Sequence, residues 1–208
     1  SPDFLLKHGD LSLVLLDTEV KGELKGLSDN QQIYGKPARI NFQSDKNEKF
    51  DSFALDVTMD KTGPQSKDTL ALNIQGLNLQ NTGKAELKGG SANITGQLTI
   101  VDENNLNGNF KAVLDRVSLS IPKQEGNELA NTIAQSLSTI DRINISVGIS
   151  GTIESYQLDI KSNLSEIISN AVKNVLAEKM KGFESSLMSA IQSQTGEALS
   201  GANGSLSG

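Results

Sequence analysis

Arg142-Ile143-Asn144-Ile145-Ser146-Val147-Gly148-Ile149-Ser150-Gly151-Thr152 is the stretch that decides the fold class. Four aliphatic residues, Ile143, Ile145, Val147 and Ile149, alternate with Asn144, Ser146, Gly148 and Ser150. Side chains of a strand point to opposite faces with period two, so this is a strand of a sheet that is apolar on one side only. After the Gly151-Thr152 break, Tyr156, Leu158 and Ile160 alternate with Gln157, Asp159 and Lys161, which predicts the second strand of an antiparallel hairpin. At Asn163 the period changes to about 3.6, through Leu164, Ile168, Val172, Val175, Met180, Phe183, Leu187 and Ile191. That spacing predicts one long amphipathic helix over 164–199, with Asn163 and Glu166 at the positions of a capping box. Gly182, near its middle, costs roughly 1 kcal/mol against Ala and allows a bend or break there.

Upstream of this stretch the alternation recurs. Leu11, Leu13 and Leu15 open a β region that continues through Val20 and Leu24 as further short strands interrupted by Gly22 and Gly26. Tyr34-Gly35-Lys36-Pro37 reads as a turn before Ile40 and Phe42. Phe53, Leu55, Val57 and Met59 form a half-buried strand, and Leu70, Leu72 and Ile74 another, with Leu77 and Leu79 out of phase after Gly76 as a bulge would leave them. A shorter strand holds Ala85 and Leu87. Ala92, Ile94, Leu98 and Ile100, then Leu106, Phe110, Ala112 and Leu114, make a pair around an Asp102–Asn105 hairpin loop, and Val117, Leu119 and Ile121 follow. Leu129, Ile133, Leu137 and Ile140 predict a short internal helix within 128–140, serving as a crossover. The expected organisation is a β-sheet domain over 1–163, a C-terminal helix over 164–199 packed on it, and a Gly/Ser-rich tail or linker over 200–208.

Composition narrows the function. With 208 residues the chain suits one core, and a net charge of -6 with two Tyr, six Phe and no Trp argues against nucleic acid. No Cys excludes disulfides and thiolate chemistry. No run long and apolar enough to span a bilayer and no signal-peptide pattern is present; the chain opens at Ser1 without Met, so targeting segments are expected upstream.

Reactive constellations are wanting as well. The one His, His8, reads as a solvated side chain near the first residue. Ser150 stops one Gly short of a nucleophile elbow and lies within a strand. Asp56 and Asp60 stand roughly 13 Å apart along one strand face, too far to act on one bond. The loop from Glu103 resembles the start of a calcium loop, yet its twelfth position is Leu114 where a bidentate Glu is needed. Acceptor sequons at Asn93, Asn144, Asn163 and Asn203 are what an Asn- and Ser-rich chain produces by chance. No enzyme chemistry, cofactor or metal is expected.

The glycines carry more. Gly76, Gly96, Gly108 and Gly151 each fall in the apolar phase of a strand and leave a notch in its apolar row. Such notches serve either bends that let a wide sheet curl or space for a guest such as an acyl chain. About nine strands at roughly 4.8 Å make a sheet some 43 Å wide, whereas a helix is only about 10 Å across, so much of the apolar face would stay bare unless the sheet folds on itself or a helix crosses it.

Gly151-Thr152-Ile153 closing one strand, the turn to Tyr156-Gln157-Leu158-Asp159-Ile160-Lys161, and the Ser162-Asn163-Leu164 entry to an amphipathic helix together resemble the C-terminal part of AsmA-like bacterial envelope proteins. Pro2-Asp3-Phe4-Leu5-Leu6, Gly22-x-Leu24-x-Gly26 and Gly35-Lys36-Pro37 resemble a segment of the same group. The resemblance implies a taco-shaped β-groove sheet in the periplasm, anchored to the inner membrane through an upstream part of a longer chain absent here, with phospholipid acyl chains and envelope proteins as partners. It brings no catalytic residues.

The reading is therefore a mainly β protein with α: a curved, mostly antiparallel sheet, one short internal helix and one long C-terminal helix. Its function would be non-enzymatic binding or shielding of lipid acyl chains, within inter-membrane phospholipid transport or envelope assembly. Ile94, Gly96, Leu98, Gly108, Phe110, Leu114, Ile145, Val147 and Ile149 are the expected groove, and Ile168, Val172, Met180, Phe183, Leu187 and Ile191 the expected helix lid. The rival is a structural or adhesion module in which that face is closed by self-packing and the uncharged Asn/Thr/Ser face meets a partner.

Overall fold

The computed structural model describes residues 1–80 and 87–166. Its strands are β1 (Leu5–Leu15), β2 (Thr18–Ser28), β3 (Ala38–Ser44), β4 (Ser52–Asp60), β5 (Lys67–Asn78), β6 (Leu87–Lys88), β7 (Ser91–Val101), β8 (Asn105–Asp115), β9 (Ser118–Leu119), β10 (Arg142–Thr152) and β11 (Tyr156–Ser162). Two short helices interrupt them, α1 (Gln31–Tyr34) and α2 (Glu128–Ser138). Nine strands form one antiparallel sheet in the order β1-β2-β3-β4-β5-β7-β8-β10-β11, and β6 pairs with β9 in a two-stranded sheet beside it. The order is a meander, the simplest way for consecutive strands with short connections to satisfy their backbone groups.

The first hairpin is longer than the glycines suggest. β1 and β2 each run 11 residues and stay in register from Leu15↔Thr18 to Leu5↔Ser28, because a strand tolerates Gly where its neighbours pair. Their turn is Leu16-Asp17, both left-handed with φ of 50° and 60°. That twist suits a two-residue hairpin, whose second position favours Gly over any L-residue, Asp included. Asp17→Gly is therefore expected to stabilise the fold by roughly 0.5 kcal/mol, the relief of strain exceeding the added freedom of the unfolded chain. A higher urea midpoint at unchanged slope is the expected readout.

The Tyr34-Gly35 turn is the end of α1. Asn30 Oδ1 accepts from the Ile33 N–H at the start, and Gly35 closes the turn at φ 74°. Gly76 does sit in a bulge: the β5–β7 register shifts between Ile74 and Leu77, Gly76 has φ 62°, and its N–H donates to Asn93 Oδ1 at 2.8 Å.

Asn163 departs from its expected role as a helix cap. Its Oδ1 accepts from the Asn144 N–H at 2.9 Å and its Nδ2 donates to the Arg142 carbonyl at 3.0 Å, so the side chain mimics one further rung of the β10–β11 ladder. The Leu164 N–H finds Ser162 Oγ instead. A helical turn begins at Leu164–Glu166; the rest of the expected C-terminal helix and the 200–208 tail lie outside the described residues.

The core occupies one end of one face of the sheet. Leu13, Leu15, Val20, Phe42, Phe53, Ile74, Leu77, Ala92, Ile94, Leu114, Ile143 and Ile145 are buried there. Leu137 of α2, Val117, Leu119, Ile140 and Leu164 close over them. At roughly 1.5–3 kcal/mol for each fully buried large side chain, this end carries most of the hydrophobic stabilisation.

Candidate functional site

Beyond the core the same face continues apolar, in rows set by the strand register. One row crosses all nine strands as Leu11, Gly22, Phe42, Leu55, Leu72, Gly96, Phe110, Val147 and Ile160. The next, roughly 6.8 Å further along the strands, is Gly9, Leu24, Ile40, Val57, Leu70, Leu98, Gly108, Ile149 and Leu158. Neither row contains a polar side chain. Burial falls away from the core: in the first row only Phe42 is buried, in the second none is, and Leu158 at the edge is 53% exposed. The result is an apolar band about 38 Å long, half open to solvent, on a sheet whose other face is polar.

The expected lining divides along this gradient. Leu98, Gly108, Phe110, Val147, Ile149 and Gly96 lie in the half-open band. Ile94, Leu114 and Ile145 are buried, with 7%, 3% and 8% of their surface exposed, and belong to the closed end rather than to the band. The notches at Gly96 and Gly108 are not empty. A Cβ on Gly96 would lie 2.1 Å from the Phe110 ring, and one on Gly108 2.9 Å from Leu98 Cδ1 and from the Gln97 carbonyl oxygen. Each glycine is covered by its cross-strand neighbour, an aromatic or aliphatic side chain lying over bare backbone. Gly22 is covered by Phe42 in the same way. The guest space is thus the surface of the band, not holes within it. The expected lid residues Ile168, Val172, Met180, Phe183, Leu187 and Ile191 lie outside the described residues.

Sequence reasoning missed the half of the band on β1 to β5, and Ile160 and Leu158 on β11. Their alternation was visible; that they share rows with β7, β8 and β10 follows only from the register.

One end of the band meets the core, and the other meets a rim of connected loops. Gln31 Oε1 of α1 accepts from the Lys61 N–H at 2.7 Å, and the Asp102 N–H donates to the Ser66 carbonyl at 3.0 Å. The Ile153 N–H donates to the Asn104 carbonyl at 3.0 Å. The Lys61 ammonium pairs with Glu103, whose hydrogen bond and charge hold the lysine above its ordinary pKa. The Thr62 hydroxyl, then its N–H, donate to Asp60 and hold that carboxyl below the usual range. Asp102 and Glu103 form a tight left-handed turn at φ 52° and 57°, which accounts for the loop that resembles a calcium site.

On the polar face an open hollow of ≈ 510 Å³ is lined mainly by Ala54, Asp56, Ala71, Asn73, Thr95, Gln97, Asn109 and Lys111. Asp56 accepts from Asn41 Nδ2 at 2.7 Å, and Asp60 serves its turn. His8 stands beside Asp10 on exposed β1. Among the described residues no cluster of three metal-ligating side chains occurs, and no helix is long and apolar enough to cross a membrane. No protein-family model, curated protein or solved structure matches this chain.

Proposed function

We propose that this chain is a non-enzymatic lipid-binding domain whose apolar band holds acyl chains across the strands. The observation that carries the reading is the pair of nine-residue rows, continuous over the whole sheet and half open beyond a core that is already complete at the other end. A soluble protein gains nothing from leaving such a band in water, and contiguous apolar surface of this kind marks binding sites. Curling of the sheet around the band would make it the taco-shaped groove of AsmA-like envelope proteins. A periplasmic location, a tether through an upstream segment and a role in inter-membrane phospholipid transport belong to that same proposal.

A second reading, an interaction or adhesion module, draws on the hollow in the polar face, whose lining is mostly uncharged. Purification from cells followed by native mass spectrometry and lipid extraction separates the two. Bound phospholipid at about one or more molecules per chain is expected; protein free of extractable lipid, without apolar additives during purification, would sink the first reading.

A further inference from the structure

Row by row, two charged side chains stand on the apolar face where the band meets the rim: Lys7, exposed on the edge strand β1, and one on β5. Beyond Leu70, the next residue of β5 on that face is Asp68, flanked in register by Met59 of β4 and Ile100 of β7. Its Oδ1 is buried and has no hydrogen-bond partner. An acceptor in that state costs free energy that Leu or Ile would not, and such groups call for an explanation in terms of what they bind. The charged form of Lys61 on the rim is favoured first by Glu103 and also by the Asp68 charge, yet its hydrogen bond goes to Glu103. Asp68 is left as an acceptor at the polar end of an apolar strip.

Resting on the lipid-binding reading, we propose that Asp68 is the headgroup anchor of that site and selects a primary ammonium beside a phosphate, the phosphoethanolamine of a phospholipid. An acyl chain on the two apolar rows leaves its headgroup at the rim. The unpartnered Asp68 oxygen then accepts an N–H from the ammonium, and Lys61 lies beside the phosphate. A phosphocholine headgroup has no N–H to give. A phosphoglycerol headgroup has hydroxyl donors but keeps its net negative charge next to Asp68, Asp102 and Glu103, on a chain of net charge -6.

The test is to equilibrate the full chain with vesicles of equal parts dioleoyl phosphatidylethanolamine, phosphatidylcholine and phosphatidylglycerol, re-isolate it and quantify the lipid it carries. Wild type should carry the ethanolamine lipid about fivefold over either competitor. Asp68→Leu, which completes the apolar row, should carry as much total lipid in nearly equal proportions. Asp68→Asn, should the first variant fold poorly, keeps the shape and should lose most of the preference. Equal proportions on wild type, or a preference that survives both substitutions, would overturn the anchor while leaving lipid binding intact. No lipid on any of the three would overturn the binding reading and the anchor with it.

Discussion

Phe42→Ala should destabilise the protein by about 3–5 kcal/mol, the cost of deleting a fully buried aromatic ring and leaving its cavity. Phe42 is 1% exposed, and its ring lies over Gly22 so closely that a Cβ there would stand 2.5 Å from it. Gly22 has no side chain with which to refill the space, and Leu55, the other neighbour in the row, is already packed against the core. Against a typical total of roughly 5–15 kcal/mol, such a change leaves a marginal fold. Phe110→Ala is the internal comparison. Phe110 covers Gly96 as Phe42 covers Gly22, but in the half-open part of the band. With less of the ring removed from water, its loss should cost about 1–2 kcal/mol. Urea midpoints of the two variants give the difference directly. Equal costs would mean that the band at Phe110 is as closed as the core at Phe42, and the binding surface would have to be sought elsewhere.

The pair also marks what could be read from the sequence. Alternation at Ile143 to Ile149 and at Phe53 to Met59 is a local property, so the strands, the one-sided sheet and the internal helix around Leu137 were legible. The bulge after Gly76 was legible for the same reason, since the phase of Leu77 and Leu79 switches within a few residues. Register is not local. Nothing in the spacing around Gly96 says that Phe110 lies opposite it, nor around Gly108 that Leu98 does, which is why these glycines read as vacant notches until the ladder placed a side chain over each. Nor does alternation tell a buried row from an open one: Ile94 and Leu98 have the same pattern, yet four residues along the strand separate core from band. Asn163 was misread because a side chain able to cap a helix is equally able to complete a neighbouring ladder, and the unpaired backbone of Arg142 and Asn144 decided between them. Asp68, in phase with Leu70 and Leu72, was visible as an exception in the sequence but gained meaning only from its buried, unpartnered oxygen.

Leu98→Glu combined with Ile149→Glu should abolish lipid carriage while sparing the fold. The two positions lie in one row on either side of Gly108, two strands apart, so the new carboxylates avoid direct opposition. Both are half-buried. Removing them from partial contact should cost about 1 kcal/mol each, half of what a fully buried aliphatic side chain contributes. An acyl chain lying on the row would have to cover two charges, and desolvating even one without a partner costs several kcal/mol. At 1.4 kcal/mol per tenfold, the carried lipid should fall by at least two orders of magnitude. Thr99→Glu combined with Ser150→Glu is the matched control. These residues belong to one row of the polar face, each adjoining a substituted position in sequence and separated by Asn107, so charge and location along the strands are nearly the same. Lipid carriage should be unchanged there. If the polar-face pair removes a partner or ligand and the apolar-face pair removes nothing, the working surface is the polar face and the adhesion reading replaces the groove.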